Sequence, residues 1–362
     1  MQLSSLPTSQ KAFRIVLLLF LVLWFCLARM AGADSGASES QTYLYSMKAR
    51  VKLLFFWVGK DRVGGGSIRL IREPPDASGC SLEAVEVLFG SDPKRVPGGI
   101  NRWGCGREWA CWKLNRSATP HLASTRFEGF MRHSKEESIT QVRASDSREK
   151  ADNLFWYDGI ESTVTLQGTR SEIRIFSQNE DFDFQQSESA WAAYSRRRET
   201  GPPDRFRLLE NTKLYEQPLG FLTAVRELIR EISRRFQLVP QSWMQTRYQI
   251  SYAYHAKAYS LQVKRLRYEP RFVVQAQHGN PSGSSSREFS DVVEAEFRIA
   301  EKPNGRPHDF TLWFSTKGAD AAVPLRIVDH PRWWLQVELN LIPSANTEVG
   351  SFPISDLRGR NP

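Results

Sequence analysis

Polar and apolar residues alternate along several long segments of this chain, and this period of two restricts the fold more than any other feature. From Tyr43 to Val58, Lys48, Arg50 and Lys52 alternate with Ala49, Val51 and Leu53. Successive side chains of an extended chain point to opposite faces, so this is the pattern of a strand with one buried face. Gly64-Gly65-Gly66 suits a turn or bulge, and alternation resumes over Ser67–Arg72 before Pro74-Pro75 breaks it. The pair reads as a hairpin.

The same period recurs further on. Thr163, Thr165, Gln167 and Thr169 alternate with Val164, Leu166 and Gly168, and Ile173, Ile175 and Ser177 alternate with Arg174 and Phe176. After residue 247 come seven further strand-like segments: Tyr248–His255, Ala258–Tyr268, Phe272–Gln277, Phe289–Ile299, Phe310–Ser315, Val323–Val328 and Trp334–Leu341. Turn chemistry separates them at Asn280–Ser286 and Lys302–Pro307. One segment has the helical period instead. From Pro218, the residues Leu219, Leu222, Val225, Ile229, Ile232 and Phe236 fall at steps of three and four, with Arg234-Arg235 in the last turn and Pro240 as a stop. Residues 178–205 are polar, with Arg196-Arg197-Arg198 and Gly201-Pro202-Pro203, and read as a surface connection. Residues 76–120 hold Cys80, Cys105, Cys111, three tryptophans and many Gly and Pro, and read as an irregular excursion. The expected fold is mainly β: a large curved antiparallel sheet or open barrel with one central helix and an irregular insertion carrying Cys and Trp.

The N-terminus bears on location. Lys11 and Arg14 precede an apolar run from Ile15 to Ala28, and Ala31-Gly32-Ala33 follows as a small-residue cleavage site. The run is shorter than the roughly twenty residues of a bilayer span and matches a signal-peptide core. Residues 1–33 are therefore expected to be a signal peptide, 34–41 a spacer, 42–343 one β-rich domain with an insertion at about 76–120, and 344–362 a tail. The mature chain would be periplasmic or secreted, or anchored through residues 15–33 if uncleaved. Removing residues 1–33 takes away Lys11, Arg14 and Arg29 and no acid, so the formal charge falls from +9 to +6. That excess is too mild to indicate nucleic acid, and suits solubility or an anionic membrane surface.

Three passages point to a family. They are Trp57-Val58-Gly59 with Val63-Gly64, then Gln217-Pro218-Leu219-Gly220-Phe221-Leu222, then Leu312–Thr316 with Val323–Ile327 and Leu335–Leu339. In that order they resemble a family of exported bacterial proteins defined by a domain of unknown function, over roughly residues 43–72 and 206–341. The resemblance implies a long antiparallel sheet wrapped about one helix in a Gram-negative-type envelope, similar to the open barrels of periplasmic lipoprotein carriers. It implies no catalytic residues, and the Cys and Trp excursion departs from it.

Motifs for nucleophile elbows, zinc proteases and phosphate loops are missing from the sequence. In an oxidising compartment two of Cys80, Cys105 and Cys111 would pair and leave one thiol. A zinc site adding His121 has unsuitable spacing, and no cofactor or metal is expected. Trp103, Trp109 and Trp112, with Arg107 among them, are the candidate ligand-binding residues, because aromatic faces stack on sugars or cover acyl chains. Their alternative role is to cap the barrel against a disulfide. Asp158 with Glu161, or Glu294 with Glu296, offer an acid/base pair on paper, although the latter share one strand face. His255 sits among Tyr252, Tyr254 and Tyr259 as a core or lining residue. The expected function is a non-enzymatic envelope protein that binds or carries a hydrophobic or lipid-like ligand, with a lipid or lipoprotein of the envelope as the expected partner. The alternatives are a secreted polysaccharide hydrolase and a structural envelope protein with a packed core.

Overall fold

The structure is a computed structural model. It describes residues 38–53, 56–92, 95, 102–114, 119–134, 155–178, 187–212, 216–275, 286–302, 305–318 and 321–343. The expected leader, the tail, the polar stretch from 135 to 150 and the turn at 280–285 lie outside these residues.

The chain is mainly β. Eight strands precede the central helix: β1 (Glu39–Leu53), β2 (Phe56–Glu73), β3 (Ser81–Ser91), β4 (Arg102–Leu114), β5 (Pro120–Ser134), β6 (Phe155–Thr165), β7 (Gly168–Gln178) and β8 (Arg205–Asn211). Helix α1 (Ser187–Thr200) lies between β7 and β8, and α2 (Phe221–Leu238) follows β8. Then come β9 (Gln249–Tyr254), β10 (Lys257–Gln275), β11 (Ser286–Glu301), β12 (His308–Ser315), β13 (Pro324–Arg332) and β14 (Leu335–Leu341). All belong to one 14-stranded sheet in the order β8-β7-β6-β5-β4-β3-β2-β1-β14-β13-β12-β11-β10-β9, and it does not close on itself.

This order has a physical consequence. The two edge strands, β8 and β9, are neighbours in sequence, so their connection crosses the sheet and carries α2 with it. One face of α2 buries Ala224, Leu228, Ile229 and Ile232. That face packs against Ala110 of β4 and Leu122 of β5, and equally against Tyr252, Leu261, Val293, Phe297, Leu312 and Phe314 of β9 to β12. Strands far apart in the sheet order thus meet on one helix, which requires the sheet to roll around it. The two edges approach closely: Asn211 Nδ2 donates to the carbonyl of Ala256 at 3.1 Å. Edge strand β8 is mostly exposed and presents Arg205, Arg207 and Glu210, charges that discourage pairing with another chain.

Several segments differ from the sequence reading. Gly64-Gly65-Gly66 lies inside β2, facing Ser91, Gly90 and Phe89 of β3, and β2 already begins at Phe56, so the glycines do not form the hairpin turn. A Cβ at Gly64 or Gly66 would strike the carbonyl of Gly90 or Leu88, so the glycines serve close strand approach. Most of 76–120 is regular, because β3 and β4 pair in continuous register from Ser81–Trp112 to Gly90–Trp103. Residues 187–200 form a helix where a surface connection was expected. Its sequence lacks a strong apolar stripe; Trp191 and Tyr194 pack on the sheet, Arg198 pairs with Glu128 at 2.9 Å and Arg197 lies over the Phe176 ring. His255 is in the β9–β10 turn, with φ of 51° at His255 and 55° at Ala256, the left-handed pair of a two-residue hairpin.

Candidate functional site

Strand β4 organises both faces of the sheet. Its odd-numbered residues Trp103 and Cys105 pack with Trp191 and Tyr194 of α1 on the outer face. Its even-numbered Ala110 and Trp112 pack with α2 on the concave face. The four candidate ligand residues are therefore divided: Trp103, Arg107 and Trp109 point outward, while Trp112 points into the core.

On the outer face, Arg107 Nε donates to Glu86 Oε2 at 2.6 Å, and its Nη2 makes a second bond to the same oxygen. Glu86 is buried. The Arg107 guanidinium lies 5.4 Å from the Trp109 ring centre and 5.1 Å from that of Trp191, and Arg126 adds a contact to Trp109 at 5.7 Å. Arg107 and Trp109 are thus members of an internal cation–aromatic stack that pins α1 to the sheet. Cys80 and Cys111 form a disulfide with Cα atoms 5.4 Å apart. Cys105 is a buried thiol whose pKa is raised, first by burial and then by the Glu86 charge.

On the concave face, Glu108 is completely buried at the start of α2. Its Oε1 accepts the Thr223 N–H at 2.7 Å and its Oε2 accepts the Leu222 N–H at 3.2 Å. Helix N-termini carry unpaired N–H groups, and Gly220 at the N-cap offers no side chain. Glu108 therefore caps α2 from another strand. A Cβ at Gly220 would overlap the Glu108 carboxylate, which explains the glycine. Burial pushes the Glu108 pKa up, against the hydrogen bonds from Thr223 and Leu222 that favour the charge. A second latch lies along the helix, where Glu83 of β3 sits 3.3 Å from Arg226 and 3.2 Å from Arg230. Burial raises the Glu83 pKa, but Arg226, Arg230 and Arg72 together bring it below the usual carboxylate value.

Around the capped end of α2 the rolled sheet forms an aromatic cluster. Phe221 lies 5.4 Å from Tyr252 and 6.4 Å from Phe310, Tyr252 stacks on Tyr259 at 5.3 Å, and Phe127 meets Tyr254 at 5.7 Å. Burial holds Tyr254 protonated, with a pKa of about 12, and raises Tyr252 as well. His255 stacks on Tyr254 at 4.1 Å, and burial, then the Lys257 charge, lowers its pKa. Two buried nitrogens of this face, His255 Nε2 and Trp112 Nε1, have no hydrogen-bond partner among the described residues. The cluster is mostly aromatic, with a few polar atoms among the rings.

Of the carboxylates read from the sequence, Glu161, Glu294 and Glu296 are engaged in ion pairs. Glu161 reaches Arg126 at 2.7 Å and Arg198 at 3.7 Å, Glu294 reaches Arg265 at 3.6 Å, and Glu296 pairs with Lys264. Among the described residues no group of His, Cys, Asp and Glu is placed to hold a metal, and no helix is long and apolar enough to cross a membrane. Sequence reasoning missed Glu108 as the cap. The available signal was its place on one strand face with Gly104, Gly106 and Ala110, a row of small residues that makes room for a helix. A scan of family models, a search of curated proteins and a search of solved structures each found no match to this chain.

Proposed function

We propose that this chain is a non-enzymatic envelope protein that binds or carries a hydrophobic, lipid-like ligand in the aromatic cluster at the capped end of α2. The observation behind this reading is the rolled sheet itself. It is unclosed, Tyr252 and Phe310 of its concave face meet Phe221 of α2, Phe127 meets Tyr254, and a side-chain hydrogen bond from Asn211 to Ala256 spans its two edges. Parting these edges would expose apolar surface suited to an acyl chain. The leader-like N-terminus and the family resemblance support an envelope location. Native mass spectrometry of the protein purified from its own envelope tests the reading. Co-purified lipid that is lost in Tyr252→Asp supports it, and a bare mass sinks it.

A structural envelope protein with a packed core is the second reading. It is favoured by the complete burial of Ala224, Ile232, Phe297 and Phe314 where α2 meets the sheet. The hydrolase reading draws no support from Glu161, Glu294 or Glu296, whose carboxylates are held by Arg and Lys.

A further inference from the structure

The sheet has an apolar end that neither the core nor the aromatic cluster uses. Trp57, Trp333 and Trp334 are the exposed tryptophans among the described residues, at 41%, 78% and 39%, and Val58 beside them is 49% exposed. They come from two turns that the topology makes neighbours. Trp333-Trp334 is the β13–β14 turn, and Trp57-Val58 opens β2 just after the β1–β2 turn. The backbone N–H of Lys52 donates to the Trp334 carbonyl at 2.8 Å, continuing the β1–β14 pairing past Val51–Leu335. On the other side of β1, a Cβ at Gly59 would lie 3.4 Å from the Arg50 side chain, and Asp61 pairs with Lys48 at 2.7 Å. Continuing that antiparallel register by two residues sets Trp57 opposite Lys52. Trp334, Lys52 and Trp57 therefore form a row across three adjacent strands.

We propose that this tip docks on an anionic phospholipid bilayer surface. Tryptophan favours the boundary between headgroups and acyl chains, where its ring is half apolar and its N–H stays wet. A soluble surface gains nothing from three exposed tryptophans gathered at one edge. The charge around them is complementary to anionic lipid. Lys52, Lys60 and Arg62 have no acidic partner among the described residues, whereas Lys48 is paired with Asp61. Long cationic side chains flanking a tryptophan row can reach phosphates while the rings enter the interface. This inference does not depend on the ligand reading of the concave face.

The test uses the full chain with vesicles of phosphatidylethanolamine and phosphatidylglycerol carrying brominated acyl chains, which quench tryptophan at short range. Trp24 in the N-terminal apolar segment contributes equally to all variants, so differences report the tip. Trp333→Ala with Trp334→Ala, on an exposed turn, is expected to cut bromine-dependent quenching by roughly half while the melting curve is kept. Lys52→Glu with Lys60→Glu is expected to lower quenching on these vesicles by about tenfold in apparent affinity, and to have little effect on phosphatidylcholine vesicles. Equal quenching in wild type and the double tryptophan variant would overturn the proposal. So would a dimer that the tryptophan variant converts to monomer with no vesicle quenching in either form, since the tip would then serve a second copy of the chain.

Discussion

Removing the carboxylate of Glu108 tests whether α2 is held in the rolled sheet from β4. In Glu108→Ala the N–H groups of Leu222 and Thr223 lose their acceptor, and Thr223 is buried. A buried donor left unsatisfied costs about 1–3 kcal/mol, so two of them predict a loss of about 2–6 kcal/mol. Glu108→Gln keeps one acceptor oxygen and should lose about half as much. Urea unfolding followed by circular dichroism gives the free energies, and amide exchange at residues 221–224 shows whether the helix start opens first. Gly220→Ala supplies the cross-check. It should destabilise the wild type, where the new Cβ meets the carboxylate, and cost less in the Glu108→Ala background, with a coupling of about 1 kcal/mol or more. The pH dependence has a definite sign. Burial raises the folded pKa of Glu108 above its unfolded value, so this group's contribution is fully present below the ordinary carboxylate range. It is lost as pH rises from there through the folded pKa. The stability advantage of wild type over Glu108→Gln should therefore shrink as pH rises. A loss under about 1 kcal/mol in Glu108→Ala with unchanged exchange at 221–224 would refute the capping argument; an advantage that widens with pH would instead overturn the claim that burial outweighs the capping hydrogen bonds.

Two further predictions concern the outer face. Cys80→Ser opens a bridge spanning a sequence separation of 31, for which loop-closure entropy gives a loss of about 3–4 kcal/mol, read as a lower urea midpoint. Equal midpoints would contradict the bridge's role, and in both forms Cys105 should resist thiol reagents until the fold opens, as mapped by peptide mass. Arg107→Ala leaves the buried Glu86 carboxylate without its cation and should cost about 3–5 kcal/mol, with much of that recovered when Glu86→Gln is added. If the second change recovers nothing, the loss comes from the Trp109 and Trp191 contacts and not from the stranded charge.

Strand-forming segments and the amphipathic helix were legible because they depend on local period. Lys48, Arg50 and Lys52 against Ala49 and Val51 is a one-dimensional pattern that burial of one face imposes directly. Helix α1 was not legible, because Trp191 and Tyr194 are its only large apolar residues and the rest are small, polar or charged. The strands β3 and β4 were obscured by Gly90, Gly104 and Gly106, which read as loop residues until a neighbouring strand or helix is placed against them. His255 lies at a turn because its two-residue loop needs left-handed backbone, and no Gly or Asn marks the place.

The candidate site shows the same division. The sequence brought Trp103, Arg107, Trp109 and Trp112 together because they are close along the chain, and strand alternation sends Trp112 to the opposite face from the other three. Cys105 was an even candidate for the bridge until the pairing of Leu82 with Cys111 set Cys80 beside Cys111. The joining of β8 to β9 across a helix, the capping of α2 by Glu108, and the placing of Trp57 and Trp334 on either side of β1 depend on residues far apart in sequence. By itself the sequence determined a β-rich chain with one strongly amphipathic helix, since local alternation encodes which face is buried. Tertiary structure alone decided which faces meet, because the order of strands in a sheet is fixed by long-range pairing that local alternation does not specify.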